Sequence, residues 1–174
     1  MYKDPSKVFV IDSKLVCGAM QILATYAKDL INEGKSFIDI TNLLIAKRDT
    51  INLLFVLDKF DNFIKSGRVP KIVGFLASKL AIKPLCFGED GEIKIKAKIR
   101  TFKAVLKKLV LEIATLCPET AGRTCIISHT KNIEGAKFIK EEVEKLYHFK
   151  EVKIEDNRAL CSFYALEGGI IVSF

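Results

Sequence analysis

Ile82–Leu116 reads IKPLCFGEDGEIKIKAKIRTFKAVLKKLVLEIATL. Two runs of strand length, Ile82 to Gly88 and Glu92 to Arg100, flank Glu89-Asp90-Gly91. Asp-Gly between such runs signals a hairpin, because both residues accept the positive φ of a tight turn. In the second run Ile93, Ile95, Ala97 and Ile99 alternate with Lys94, Lys96 and Lys98, which predicts a strand with one apolar and one basic face. Thr101 then caps a long amphipathic helix, with Val105, Leu106, Leu109, Val110, Ile113 and Leu116 as its inward face. A hairpin with a covering helix belongs to an α+β layer domain.

Outward from this stretch the pattern continues. Downstream, Thr124 to Ser128 has strand character, and Asn132 caps a helix through Ala136, Ile139, Val143 and Leu146. Three short strands are expected to close the chain, at Glu151 to Ile154, Leu160 to Ala165 and Gly169 to Phe174. Upstream, Pro70 suits the first turn of a helix to about Leu80, and Arg68-Val69-Pro70 has the look of a junction. Before it, Val8 to Ile11 is expected to be a short buried strand closed by Asp12-Ser13. A helix follows from about Leu15 to Glu33 through Val16, Met20, Leu23, Ala27, Leu30 and Ile31, and Gly34 ends it. Ser36 caps the next helix, with Asp39 three residues on, and turns Ile40, Leu43 and Leu44 inward. Ile51 to Leu57 is an unbroken apolar run, as a central strand requires. Asp58 starts a short helix that stops at Gly67. The β-α-α-β-α order of this half implies a parallel sheet, but one with too few strands to stand alone.

The 174 residues are 49% hydrophobic and 28% charged, the balance of a globular chain and not of a disordered one. No segment offers the uninterrupted apolar run of a membrane helix. The first residues lack a signal-peptide apolar region, so the expected location is the cytoplasm. The five cysteines, Cys17, Cys86, Cys117, Cys125 and Cys161, form no C-x-x-C pair. They are expected to be free buried thiols, and His129 and His148 stand at no metal-ligand spacing from them. The net charge of +7 favours encounters with anions. Nucleic-acid binding through the lysine strand would rest on charge alone, because no stacking aromatics line it.

Catalytic patterns are missing. There is no phosphate-cradling glycine loop and no nucleophile elbow. His129, at a strand end, is expected to serve the approach to the next helix. Asp12-Ser13 is expected to be a polar strand terminus. Arg68, just past a helix end, could reach into a cleft and meet a carboxylate or phosphate; a surface arginine that complements the helix C-terminus is the alternative. The chain is expected to be no enzyme and to need neither cofactor nor metal.

Several segments together resemble the DegV family. Val10-Ile11-Asp12-Ser13 resembles the family's V-I-D-S strand end, and Asn32-Glu33-Gly34-Lys35-Ser36 its E-E-G-K-S. Phe55-Val56-Leu57-Asp58, followed by Phe63-Ile64-Lys65-Ser66-Gly67-Arg68-Val69, is similar to F-V-L-D-T-L-E-Y-L-K-K-G-G-R-I. Leu80-Ala81-Ile82-Lys83-Pro84-Leu85 resembles L-N-I-K-P-I, and Arg100-Thr101-Phe102-Lys103-Ala104 resembles R-T-x-K-K-A.

The resemblance implies an α/β protein of two lobes. Residues 1–68 would be the remnant of a first, parallel-sheet α/β lobe. Residues 69–174 would be a second, α+β lobe with a mixed or antiparallel sheet. It implies a long-chain fatty acid held between the lobes, carried without chemistry and presented to a separate fatty-acid kinase. Arg68 matches the arginine of the carboxylate network, and Arg100 matches one beside the ligand exit that faces the kinase or its phosphate; Lys103 shares that motif. Tyr164 stands where the family's closing motif has a histidine. It can donate a hydrogen bond to a carboxylate but carries no positive charge. The family's first strands and their serine and threonine anchors have no counterpart here. A second reading is therefore open: a truncated module that has lost the ligand and self-associates, as a homodimer, through the Val8 and Ile51 strands.

Overall fold

The computed structural model describes residues 7–68, 82–89 and 92–174. The helix expected from Pro70 and the Asp90-Gly91 turn lie outside them. The described elements are α1 (Cys17–Asn32), α2 (Phe37–Arg48), β1 (Leu53–Val56), α3 (Asp61–Lys65), β2 (Lys83–Glu89), β3 (Glu92–Ile99), α4 (Phe102–Leu116), β4 (Thr124–His129), α5 (Ile133–Leu146), β5 (Glu151–Asp156), α6 (Ala159–Ala165) and β6 (Ile170–Ser173). The strands form one six-stranded sheet in the order β3-β2-β1-β6-β4-β5. β1 pairs antiparallel with both neighbours, and β4–β5 is parallel. The fold class is thus mixed α/β.

Three helix starts follow their capping residues. Ser36 Oγ accepts the Asp39 N–H at 3.1 Å, Thr101 Oγ1 that of Ala104 at 3.2 Å, and Asn132 Oδ1 that of Gly135 at 3.1 Å. α4 buries Val105, Leu106, Leu109, Val110 and Ile113, and α5 buries Ala136, Ile139 and Val143, against one sheet face. The opposite face carries a smaller cluster of Phe55, Leu57, Phe60, Cys86, Ala165 and Ile171. Short helices α3 and α6 and the start of α1 lie on that side.

Four expectations are corrected. Val8–Ile11 is not a strand: none of the described strands pairs with it, and Val10 is 86% exposed. A strand without a ladder partner loses its backbone hydrogen bonds to water and has no reason to persist. Ile51–Leu57 does hold a central strand, but an antiparallel one. Since β1 lies between β2 and β6, neither of its edges is free for the proposed self-association. Leu160–Ala165 is helical. Cys161, Tyr164 and Ala165 recur at helical spacing on the inner side, while Leu160 and Phe163 stay 65% and 54% exposed. A short apolar run does not distinguish the two periods by itself. Finally, α2 buries none of its residues, so Ile40, Leu43 and Leu44 do not reach a core made of the described chain.

The lysine strand also departs from strict alternation. Leu85 pairs with Ala97 and Cys86 with Ile95, so Lys96 is the extra residue of a β-bulge. The bulge transfers the apolar residues from one face to the other. Ile93 and Ile95 pack on the smaller cluster, whereas Ala97 and Ile99 pack on the larger. Lys96 points to the α4 side, where its Nζ lies 3.2 Å from Glu112 Oε1.

Candidate functional site

The smaller cluster does not fill its side of the sheet. A cavity of about 320 Å³ remains, walled mainly by Leu53, Phe55, Leu57, Ile93, Ile171 and Leu160. Phe63 of α3, Arg68, and Cys161 and Tyr164 of α6 complete one end, with Val16 and Cys17 at the start of α1. This size lies within the range of small-molecule pockets. A polar pocket of about 600 Å³ adjoins it, and Cys17 and Cys161 line both.

Local sequence sets the position of Arg68. α3 ends in a Schellman turn: Gly67, at φ 68°, donates its N–H to the Ile64 carbonyl and Arg68 donates to that of Phe63, each at 3.1 Å. Glycine tolerates this left-handed conformation without the Cβ clash. The turn places the Arg68 guanidinium 5.3 Å from the centre of the Tyr164 ring, a cation–π contact. Tyr164 packs on Phe63 at 4.7 Å between ring centres and on Phe163 at 5.1 Å. The Asn62 side-chain amide donates to the Phe163 carbonyl at 2.6 Å, which ties α3 to α6. Beyond α6, Leu166 and Gly168 take positive φ. Asn132 Nδ2 donates to the Gly168 carbonyl at 2.8 Å, and Thr130 and Gly169 are linked through the backbone. This brace fixes the turn that carries Tyr164 away from β6.

Arg68 and Tyr164, far apart in sequence, are thus brought together at the end of the cavity. Arg100 and Lys103 are not. Both are exposed around the start of α4, and neither lines the cavity. Lys83, whose motif position carried no assigned role, forms an ion pair with Asp58, joining β2 to the loop after β1. His129 is buried, and its Nδ1 accepts the Asn132 N–H at 3.3 Å. It serves the approach to α5, as its position suggested. Asp12 and Ser13 accept the N–H groups of Lys14 and Leu15 in local turns.

The sequence reading missed the aliphatic wall and the two cysteines. The five thiols are free, as expected, but Cys17 and Cys161 are only partly buried. Both line the cavity and the polar pocket beside it, and burial, then Cys161, raises the Cys17 thiol well above its ordinary range. Cys17 also opens α1 at φ 50°, an uncommon backbone for a non-glycine residue. No signal in the sequence links positions so far apart. Among the described residues, no group of histidine, cysteine or acidic side chains could hold a metal, and no helix is long and apolar enough to cross a membrane.

Comparison with known proteins gives a consistent result. The DegV family model matches residues 1–174. A DegV domain-containing protein of Streptococcus pneumoniae is 29% identical over 170 residues, 97% of this chain and 60% of that protein. The chain therefore spans about 60% of the length of this curated relative. A DegV family protein of Eubacterium eligens loaded with heptadecanoic acid superposes with a TM-score of 0.85 at 30% identity, over 94% of this chain and 59% of that one. The Streptococcus pneumoniae Fatty Acid Kinase (Fak) B3 protein loaded with linoleic acid superposes with a TM-score of 0.86 at 29% identity, over 95% and 59%. The ligand-loss reading gains no support from these neighbours, which carry fatty acids.

Proposed function

The chain belongs to the DegV family, and from that premise we propose that it holds a long-chain fatty acid, with the tail in the apolar cavity and the carboxylate at Arg68 and Tyr164. One observation carries the reading: a cavity walled by aliphatic and aromatic side chains ends at a guanidinium stacked on a phenol. Each methylene removed from water in such a cavity is stabilised by about 0.8 kcal/mol. A guanidinium offers a carboxylate charge-assisted hydrogen bonds, and the Tyr164 hydroxyl can donate another. The bound heptadecanoic and linoleic acids of the two relatives support a straight-chain carboxylate as the ligand class.

In this reading the protein is a cytoplasmic carrier and not an enzyme. It delivers the carboxylate to a fatty-acid kinase, and Arg100 and Lys103 face that partner or its phosphate. The Fak B3 relative supports a kinase partner. The first test is mass spectrometry of an organic extract from the natively purified protein, with a fatty-acid titration of the delipidated sample. A stoichiometric fatty acid is expected. An empty extract together with no binding on titration would overturn the reading. For the partner, Arg100→Ala with Lys103→Ala should lower acyl-phosphate formation by an added fatty-acid kinase and leave fatty-acid affinity unchanged.

A further inference from the structure

Cys17 begins α1 and Cys161 lies within α6, so the fold brings two thiols far apart in sequence to the walls of the same two adjoining pockets. Both residues line the apolar cavity, and both line the polar pocket beside it together with Gln21, Ser128, Asn157 and Arg158. The sulfurs therefore form part of the partition between an acyl compartment and a water-facing one. Cys161 also precedes Tyr164 by three residues on the same short helix, so a displacement of Cys161 is felt by the proposed carboxylate ligand.

We propose that Cys17 and Cys161 are an oxidisable dithiol, and that its closure to a disulfide fastens α6 to α1 and slows passage of the acyl chain through the cavity wall. The second half rests on the fatty-acid reading; the first does not. With a peroxide as oxidant, the Cys161 sulfur attacks one peroxide oxygen. The O–O bond breaks, water leaves, and a sulfenic acid remains. The Cys17 sulfur then attacks the Cys161 sulfur, the S–O bond breaks, and a second water carries off the oxygen and both thiol protons are accounted for. Two thiols and one hydrogen peroxide give one disulfide and two waters. The same balance holds with the two sulfurs exchanged.

The other three cysteines do not compete. Cys86, Cys117 and Cys125 are buried. Burial pushes the thiols of Cys86 and Cys125 up to about 12, and Cys117 Sγ donates to the Glu119 carbonyl at 3.0 Å.

The test treats the whole chain with hydrogen peroxide, followed by intact mass and peptide mapping under non-reducing conditions. The expected result is the loss of two hydrogens and of two alkylatable thiols, with the peptides of Cys17 and Cys161 cross-linked. Cys17→Ser and Cys161→Ser should each abolish the link, while Cys86→Ser retains it. A link through another cysteine, or none, would overturn the proposal. For the second half, the release of a bound fluorescent fatty acid should be slower in the oxidised wild type than in the reduced, and unchanged by peroxide in Cys161→Ser. Equal release rates with the disulfide fully formed would refute the gating. Failure of the reduced wild type to bind fatty acid at all would count against the proposed function, with the dithiol judged by the mapping alone.

Discussion

Replacing Arg68 by alanine isolates the headgroup contribution. Hydrogen bonds to charged groups contribute roughly 1.5–3 kcal/mol. Arg68 is exposed, so solvent screening brings its share to the lower end of that range. A loss of about 1.5 kcal/mol corresponds to a roughly tenfold weaker Kd. The contact of the guanidinium with the Tyr164 ring, at 5.3 Å, is made without ligand as well, so it largely cancels in the difference. The tail contribution is untouched, since the aliphatic wall stays in place. The control is therefore a fatty alcohol of the same chain length, which fills the cavity and offers no carboxylate. Both affinities would be measured by displacement of a fluorescent lipid, in wild type and Arg68→Ala. The acid should weaken about tenfold and the alcohol by less than about twofold. Two results would refute the reasoning. An unchanged acid affinity removes Arg68 from the headgroup, and an equal loss for both ligands makes it a structural residue.

Three further perturbations follow from the same geometry. Tyr164→Phe keeps the ring stacked on Phe63, so thermal stability should hold, while fatty-acid affinity falls by about 1 kcal/mol for one lost hydrogen bond, as calorimetry would register. Gly67→Ala meets no atom within 4 Å of the new Cβ, so its cost is the left-handed backbone alone, about 1 kcal/mol in urea unfolding. Glu112 is 4% exposed, and Lys108 and Lys96, at 2.9 and 3.2 Å, hold its carboxyl below the ordinary 4.5, Lys108 first. Its folded-state value is depressed, so its contribution to stability is present above pH 4.5 and is lost as pH falls through the lower folded value. Glu112→Gln should therefore destabilise the protein at neutral pH and flatten the acid limb of its unfolding curve.

What the sequence disclosed and what it hid divide along physical lines. The caps at Ser36, Thr101 and Asn132 were legible because a cap is settled within three residues. The inward faces of α4 and α5 were legible because their apolar periodicity runs over several turns. Leu160–Ala165 was misread as a strand because so short a run holds too few repeats of either period. Val8–Ile11 was misread because apolar character does not create a hydrogen-bonding partner. At the site, Arg68 was singled out by its place just past a helix end and again by the family resemblance, and Tyr164 by the resemblance alone. The meeting of Arg68 with Tyr164, and of Cys17 with Cys161 on shared pocket walls, depends on which loops meet in space, and local sequence carries no trace of it.

The asymmetry of the sheet explains why the cavity lies where it does. On one face, the long helices α4 and α5 supply enough aliphatic side chains to close the core against β1, β2, β4 and β6. On the other, α3 and α6 span only five and seven residues, too short to lay a continuous apolar stripe across the strands, and the longer α1 packs along β4 and β6 and meets the cavity only at its start. The bulge at Lys96 sharpens the division. Without it, regular alternation would set Ile93, Ile95, Ala97 and Ile99 on a single face. With it, the same strand contributes Ile93 to the cavity wall while Ala97 and Ile99 seal the main core. One added residue thus lets an edge strand support a filled face and an unfilled one at once. An apolar hollow left open to water forfeits the burial its lining could gain, and an acyl chain laid into it restores that burial.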